Sequence, residues 1–380
     1  MKDKQKTAVM YGAGNIGRGF IAQVFSDSGF EVVFIDIDPA VVSALNSSNT
    51  YTQLVIDGDD TERREVTGVR AVDGNNTEAV AAEIAGCDIM AVSVGTAALP
   101  HIAPFIADGL ARRKNPLNIL ICENLKHAPA VLRGYVSEYL PDSSKAEQIG
   151  FIGATIGRMV PVMQPQQRLD DITLIAVEKY CLLPIDGDAV IPPMPELQYT
   201  ILCSPFSFEE DKKLYIHNMG HALAAYFGAL KEFTFIWQAM DDNGIRKLVH
   251  EAMSATAEAL ARKYDEDLDK LTDYVNDLIT RFGNKGLGDT VARVGGDPLR
   301  KLAPEDRLAG AVCLCRELGV DYSAILSGIA AALRFDIPGD PSAKLLHKQV
   351  SKNGAAVFLQ EYCGLSGADA NRCVSLPLGR

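Results

Sequence analysis

The spacing of hydrophobic residues divides the chain into two halves of different character. In the first half, short apolar runs alternate with segments of helical periodicity. Near-continuous apolar strands separated by helices are typical of a parallel sheet that is covered on both faces. This pattern predicts strands at 7–11, 31–35, 89–94 and 118–122, a helix over 97–113, and edge strands at 150–154 and 172–177.

The second half is dominated by helical periodicity. Four prolines between residues 183 and 196 indicate a connecting segment, and helical spacing starts at about residue 208. We therefore predict an α/β domain over residues 1–197 and a mainly α-helical domain over residues 198–380. The predicted helices of the second domain are 208–230, 242–263, 266–281, 304–317, 322–334 and 341–361.

A glycine-rich turn follows the first predicted strand. The order of strand, Gly-x-Gly-x-x-Gly turn, helix and strand is completed within about 30 residues, as in Rossmann-type dinucleotide-binding domains. In that motif the glycines allow a tight turn and a close approach to a pyrophosphate, which rests on the helix N-terminus. The residues predicted to bind the cofactor here are Gly12, Ala13, Gly14, Asn15, Ile16 and Gly17.

An acidic residue at the end of the second strand indicates which dinucleotide is bound. Asp36 lies 19 residues after Gly17, where such motifs place the carboxylate that binds the ribose hydroxyls. Asp38 adds a second negative charge, and no arginine follows directly to accept a 2′-phosphate. We therefore predict NAD as the cofactor. Asp38 also suits an N-cap role before Pro39.

Composition and charge exclude several classes of partner. The 380 residues include 37 basic and 49 acidic side chains, a net charge of −12. That balance argues against nucleic acid, although a small anionic substrate needs only a local basic pocket. No apolar run reaches the roughly 18 residues of a membrane span, so no membrane partner is expected. Eight scattered cysteines without a C-x-x-C pair predict reduced thiols in a cytoplasmic protein.

A lysine, an asparagine and a histidine recur within one predicted helix. An α-helical step of about 100° places His221 about 80° and Asn218 about 140° round from Lys213. A buried amine with a lowered pKa can accept the proton of an alcohol, and an amide or imidazole can bind the developing alkoxide. The alternative is a solvated lysine, a polar helix residue and a hydrogen-bonded core histidine.

Several segments together resemble the mannitol dehydrogenase family, the polyol-specific long-chain dehydrogenases. The resemblance extends over nearly the whole chain and is greatest for members that act on mannitol 1-phosphate. The segments that carry it are YGAGNIGRGF at 11–20, ICENL at 121–125, RMVP at 158–161, KLxxxNxGHA at 213–222, and RVGGDPLRKL at 293–302 followed by DRL at 306–308.

This resemblance implies a zinc-independent, NAD-dependent oxidoreductase that interconverts a polyol or its phosphate and the corresponding ketose. Mannitol 1-phosphate and fructose 6-phosphate are the first expected pair. The resemblance implies that Lys213 is the general base, that Asn124 and Asn218 stabilise the oxyanion, and that His221 binds substrate. No metal ligands at suitable spacing are apparent in the sequence.

A basic segment near residue 300 is the candidate substrate-binding region. Four bases, Arg293, Arg300, Lys301 and Arg307, lie within fifteen residues, and guanidinium groups bind phosphate through two parallel hydrogen bonds. We predict substrate-binding roles for Arg293, Arg300 and Lys301, since the resemblance implies such roles in this segment. The alternative is surface ion pairing with the carboxylates Asp289, Asp297, Glu305 and Asp306.

One position departs from the family pattern. Gly157 stands where the family carries an aspartate of its proton network, and Glu210, three residues before Lys213, is a candidate for the same role. Two alternatives therefore stay open. The first is a family member acting on an unphosphorylated polyol or a hexuronate, of the mannitol 2-dehydrogenase or fructuronate and tagaturonate reductase type. The second is a non-catalytic NAD-binding sensor. A monomer or weak homo-oligomer is expected.

Overall fold

The computed structural model describes residues 5–161, 163 and 165–376, which divide into two compact units between Glu209 and Glu210. This division lies beyond the predicted boundary at residue 197. The reason is a pair of parallel strands, Leu183–Asp186 and Thr200–Cys203, which belongs to the first unit.

A six-stranded parallel sheet forms the first unit. Its strand order is β5-β2-β1-β6-β7-β8, the doubly wound order in which a crevice forms at the carboxyl ends of the two central strands. Tyr11 at the end of β1 is level with Ile35 of β2 and Val92 of β6, so the loops after these strands meet at one edge. The strands are β1 (Thr7–Tyr11), β2 (Glu31–Asp36), β3 (Thr50–Asp57), β4 (Asp60–Thr67), β5 (Val69–Asp73), β6 (Ile89–Val92), β7 (Leu117–Ile121), β8 (Ile149–Gly153), β9 (Ile175–Glu178), β10 (Leu183–Asp186) and β11 (Thr200–Cys203).

The predicted parallel sheet is confirmed, with two differences at its margins. Strand β8 is an edge strand, as predicted, but β9 pairs with β3 in a separate three-stranded sheet that also contains β4. The β3–β4 hairpin and β5 were not predicted. Strand β4 carries polar and charged residues at most positions and is largely exposed, so its sequence lacks the apolar alternation of a half-buried strand.

Alternate residues of the central strands form the core of this unit. Val9 and Tyr11, Val33 and Ile35, and Met90 and Val92 point to one face, where helices cover them. The helices of the first unit are α1 (Ala22–Asp27), α2 (Pro39–Ser48), α3 (Thr77–Gly86), α4 (Leu99–Arg112), α5 (Ala128–Tyr139), α6 (Pro165–Asp170) and α7 (Phe206–Lys212), the last of which ends in the second unit.

The second unit is mainly α-helical, as predicted. Helix α8 lies at its centre and is contacted by α10, α12 and α15. The segment 341–361 forms two helices because Gly354, with a φ of 82°, leaves the helical region between them. The helices are α8 (Met219–Leu230), α9 (Ile236–Asp241), α10 (Asn243–Tyr264), α11 (Leu268–Phe282), α12 (Val291–Gly295), α13 (Pro298–Leu302), α14 (Ala309–Glu317), α15 (Ser323–Ala332), α16 (Pro341–Asn353), α17 (Ala355–Glu361) and α18 (Gly367–Ser375).

Two segments have π-helical geometry, Gly17–Ile21 before α1 and Lys213–Asn218 between α7 and α8. In the described part of the chain, no helix has the length and apolar character needed to cross a membrane.

Candidate active site

The glycine turn after β1 has the conformation of a dinucleotide-binding loop. Gly12 has a φ of 103°, and a Cβ atom there would overlap the carbonyl oxygen of Ser93. A Cβ atom on Gly17 would overlap the carbonyl oxygen of Gly12. No atom lies within 4 Å of the position of a Cβ atom on Gly14, so the backbone is open to a ligand there. Gly12 thus forms the tight turn, Gly17 allows close packing and Gly14 leaves the backbone open, which is the geometry that the predicted roles require.

Backbone hydrogen bonds hold this loop against the sheet. The amide of Gly12 donates to the carbonyl of Ile35 at 2.8 Å, and the amide of Ala13 donates to Asp36 Oδ2 at 2.6 Å. The helical segment starts at Asn15 and Ile16, and the first-turn amides of a helix have no partner within the helix. These amides, together with the open backbone at Gly14, fit the pyrophosphate of a dinucleotide.

The two aspartates after β2 have different roles. Asp36 is partly exposed, and its Oδ1 accepts a hydrogen bond from the amide of Asp38 at 2.9 Å. Its carboxylate is thus fixed beside the glycine loop, where a ribose would be bound. Asp38 caps α2 by accepting from the amide of Ala40 at 2.9 Å, as its alternative interpretation predicted.

Arg18, the cation after the glycine loop, supports the backbone. Its Nε donates to the carbonyl of Ala13 at 2.6 Å, its Nη1 donates to the carbonyl of Ile172 at 3.0 Å, and the side chain is buried. The positive charge therefore holds the loop and Ile172 together.

A half-buried carboxylate connects the loops after β6 and β7. Glu123 Oε1 accepts hydrogen bonds from the amides of Val94 at 2.7 Å and Gly95 at 3.0 Å, and burial raises the pKa of this carboxyl. Asn124 follows directly and is exposed at the same edge of the sheet as the glycine loop. Glu123 was not among the residues predicted from the sequence. The available signal was its place between a buried strand and a predicted site residue.

An aromatic ring lies beside Gly157, the position that departs from the family pattern. A Cβ atom at this position would lie 3.3 Å from Cε1 of Tyr180, so the ring occupies space beside the glycine. The next residue, Arg158, is buried and donates to the carbonyl of Glu178 at 2.8 Å and to Gln23 Oε1 at 2.8 Å. This segment is therefore fixed by packing and by the guanidinium of Arg158.

In the second unit, the predicted catalytic residues lie in and after a π-helical turn. The turn comprises Lys213–Asn218 and continues directly into α8, which carries His221. In an α-helix, residues five apart point in clearly different directions, whereas i→i+5 hydrogen bonding places them one above the other. The turn therefore brings Lys213 and Asn218 closer to one face than α-helical spacing predicted.

Burial and a neighbouring charge both act on the Lys213 amine. Desolvation, and next the positive charge of Arg307, together lower the pKa of Lys213 from 10.5 to about 8. Within the described residues, neither the Lys213 ammonium nor the Asn218 amide has a hydrogen-bond or ion-pair partner. A substantial fraction of this amine is neutral near pH 8, which a proton acceptor requires.

Two histidines lie beside this lysine against an aromatic ring. His221 stacks on Phe282 with ring centroids 4.7 Å apart, and His217 lies 5.6 Å from the same ring. Burial lowers the pKa of His221 to about 4 and that of His217 well below its usual value, so both are neutral near pH 7. His217 Nδ1 and His221 Nε2 are buried, and neither atom has a hydrogen-bond partner within the described residues.

Asp289 is the carboxylate nearest to His221. Its Oδ2 lies 3.4 Å from His221 Nε2, while its Oδ1 accepts hydrogen bonds from Arg293 Nε at 2.8 Å and from Arg293 Nη2. The guanidinium of Arg293 is thus oriented by Asp289, as the ion-pairing alternative predicted for this residue.

The other predicted basic residues differ in what they contact. Arg300 is half-exposed and binds Asp297 Oδ2 at 2.8 Å and Asp306 Oδ2 at 3.3 Å. Lys301 is buried and donates to the carbonyl of Gly296, and desolvation with the charge of Arg307 lowers its pKa to about 7. The charge of Arg307 thus acts on both Lys301 and Lys213, whereas Arg300 is paired with the exposed Asp297 and the largely buried Asp306.

Glu210, the candidate for a proton relay, lies in α7 one turn before Lys213 and is half-buried. Among the residues that the structure describes, no group of three His, Cys, Asp or Glu side chains could hold a metal ion.

Two family models match almost the whole chain. Residues 6–199 match the mannitol dehydrogenase Rossmann domain, and residues 206–359 match the mannitol dehydrogenase C-terminal domain. The chain is 35% identical over 370 residues to a mannitol-1-phosphate 5-dehydrogenase of Geobacillus thermodenitrificans, covering 95% of both chains. It is also 35% identical over 366 residues to the enzyme of that name from Brevibacillus brevis, covering 94% of this chain and 93% of the relative.

Solved structures show the same fold at lower identity. A substrate-free D-sorbitol dehydrogenase superposes with a TM-score of 0.77 at 15% identity, over 97% of this chain and 92% of that one. Mannitol 2-dehydrogenase of Pseudomonas fluorescens, in a ternary complex with NAD and D-mannitol, superposes with a TM-score of 0.73 at 17% identity. The match covers 98% of this chain and 91% of that one.

Proposed function

The chain belongs to the mannitol dehydrogenase family of NAD-dependent polyol dehydrogenases, and from this premise we propose that it interconverts mannitol 1-phosphate and fructose 6-phosphate. The observation that carries the catalytic part of this proposal is the Lys213 amine, which is desolvated, is acted on by the charge of Arg307 and has no polar partner within the described residues. The names of the 35% identical relatives support the substrate.

Lys213 provides the proton chemistry in this proposal. In oxidation, its neutral amine accepts the proton of the hydroxyl group as that carbon becomes a carbonyl carbon. In reduction, its ammonium returns a proton to the carbonyl oxygen. NAD, when bound, accepts or supplies the hydride. Glu210 is proposed to exchange the proton of Lys213 with solvent, in place of the aspartate that Gly157 replaces.

The amides and the histidine act on the substrate oxygens. Asn218, in the same turn as Lys213, donates hydrogen bonds to the oxygen that carries negative charge in the transition state. Asn124 keeps the oxyanion role that the family resemblance implies. His221 is neutral and orients a neighbouring hydroxyl group. We also propose that Arg293 and Lys301 bind substrate oxygens, and that Arg300 contributes to the basic surroundings of the site.

Cofactor choice depends on Asp36. We expect Asp36→Ser to lower kcat/KM with NAD by about 10–100-fold, because a charged hydrogen bond to the ribose contributes about 1.5–3 kcal/mol. The preference for NAD over NADP should fall with it. Asp38→Ser is the matched control, since Asp38 is equally acidic but caps α2. An unchanged ratio of NAD to NADP activity in Asp36→Ser would show that this carboxylate does not select the cofactor.

Initial rates with a substrate panel test the proposed reaction. The panel compares fructose 6-phosphate, fructose and fructuronate with NADH, and mannitol 1-phosphate and mannitol with NAD. We expect kcat/KM for fructose 6-phosphate to exceed that for fructose by about 100-fold or more, because a site built for a polar group discriminates strongly against its absence. Faster turnover of fructuronate, fructose or mannitol would contradict the proposed substrate. NADH binding without turnover of any compound would indicate the sensor alternative.

A further inference from the structure

Arg307 is a buried cation whose terminal nitrogens have no partner. Its side chain is 9% exposed, and its Nε donates to Asp306 Oδ1 at 2.7 Å. Within the described residues, Nη1 and Nη2 make no hydrogen bond or ion pair, and neither is fully shielded from solvent. Two donors of a nearly buried guanidinium therefore point into space that a ligand or water can reach.

Such an arrangement is costly in the absence of an anion. Removing a guanidinium from water is compensated only when its donors are paired, preferably with a negatively charged acceptor. Asp306 satisfies only Nε, and its other oxygen is shared with Arg300. The remaining two donors form a planar fork of the kind that binds a phosphate group through parallel hydrogen bonds.

The other bases of the segment differ from Arg307 in this respect. The guanidinium of Arg293 is bound to Asp289, that of Arg300 to two carboxylates, and the ammonium of Lys301 to the carbonyl of Gly296. Each of these three cations therefore has its charge paired with an acceptor of the protein. Arg307 combines near-complete burial with unpaired terminal donors.

Arg307 also lies among the groups assigned to catalysis. Its positive charge lowers the pKa values of Lys213, His221 and Lys301, so the guanidinium is near enough to the proposed base for the two charges to interact. A substrate whose reacting hydroxyl is at Lys213 would therefore bind where the positive charge of Arg307 acts.

We propose that Arg307 binds the phosphate group of the substrate and determines the preference for a phosphorylated over an unphosphorylated sugar. The proposal rests on the function proposed above and extends it. It differs from the sequence-based expectation, which gave this role to Arg293, Arg300 and Lys301.

The test compares the two ketoses in the direction of reduction at pH 7, where Lys213 acts as an ammonium. We expect Arg307→Met to lower kcat/KM for fructose 6-phosphate by about 100-fold, mainly through a higher KM, and to change kcat/KM for fructose by less than about fivefold. Inhibition by inorganic phosphate should weaken in parallel. Arg307→Lys, which keeps the charge without the fork, should fall between wild type and Arg307→Met.

Arg316→Met is the matched control. Arg316 is a partly exposed arginine of α14 that is paired with Asp369, so we expect little change for either ketose. NADH binding and the melting temperature of each variant establish whether it is folded. If Arg307→Met proves unstable, kcat/KM for the two ketoses is compared between wild type and Arg307→Lys.

The outcomes separate this inference from the proposed function. A wild-type enzyme without preference for fructose 6-phosphate would contradict the proposed function itself. If the wild-type preference survives in Arg307→Met and Arg307→Lys, the role of Arg307 is contradicted but the proposed function is not. Loss of the preference in Arg300→Met instead would have the same meaning. Equal losses for both ketoses would indicate that Arg307 acts only through Lys213, and would likewise overturn the inference.

Discussion

Lys213→Ala is expected to lower kcat by about 10³-fold in both directions while leaving the affinity for NADH unchanged. General acid–base catalysis by a positioned side chain typically contributes 10²–10⁴-fold. Lys213 begins the π-helical turn, whereas the dinucleotide loop belongs to the first unit, so removal of the amine should not alter the loop. Steady-state rates and a fluorescence titration with NADH measure the two effects separately.

Lys212→Ala is the matched control for this substitution. Lys212 directly precedes Lys213, and its ammonium lies 5.2 Å from the ring centroid of Tyr274. It should retain kcat within about twofold, since neither Lys212 nor Tyr274 is assigned a part in the proposed proton transfer. Near-normal turnover in Lys213→Ala would rule out the lysine as the base.

The pH profile of wild type provides a second measurement on the same residue. Oxidation needs the neutral amine, so kcat/KM for mannitol 1-phosphate should rise with pH and level off above the Lys213 pKa of about 8. Reduction needs the ammonium, so kcat/KM for fructose 6-phosphate should fall above the same pH. His221, with its pKa near 4, stays neutral over this range. A profile that rises until about pH 10 would indicate a solvated lysine instead.

Asn218→Ala is expected to lower kcat by about 10²–10³-fold, the usual effect of removing one oxyanion donor. Because the amide is proposed to bind the alkoxide-like oxygen more strongly in the transition state than in the ground state, kcat and kcat/KM should fall together. Asn218→Asp preserves the shape but adds a negative charge, and should lose more activity than Asn218→Ala. A rise in KM with kcat unchanged would indicate a binding role only.

The sequence predicted most of the central sheet because buried strands require apolar residues at nearly every position. The cofactor loop was predictable for a related reason, since steric overlap at Gly12 and Gly17 restricts both positions to glycine. The β3–β4 hairpin was missed because β4 is polar and exposed. The Gly58-Asp59 pair at its turn, in which Gly58 has a φ of 64°, is a typical two-residue hairpin signal that could have indicated it.

For the second unit, sequence identified the residue types of the site more readily than their arrangement. Lys213, Asn218 and His221 stand out by chemistry and spacing. The π-helical turn that changes their relative directions depends on hydrogen-bond register, which hydrophobic periodicity does not report. Likewise, four bases and four carboxylates between residues 289 and 307 allow several pairings. Only the structure shows that Arg307 is nearly buried with unpaired terminal donors, whereas Arg300 is half-exposed and paired with two carboxylates.

The π-helical turn makes the catalytic geometry sensitive to chain length as well as to side-chain identity. The turn holds one more residue than an α-helical turn, so α7 and α8 are out of phase by one position. Changes of side chain within Lys213–Asn218 leave that phase intact. Deleting a single residue there would let the helix become continuous and rotate Lys213 by about 100° relative to His221. Attempts to change the specificity of this enzyme should therefore vary side chains around the turn and preserve the number of residues within it.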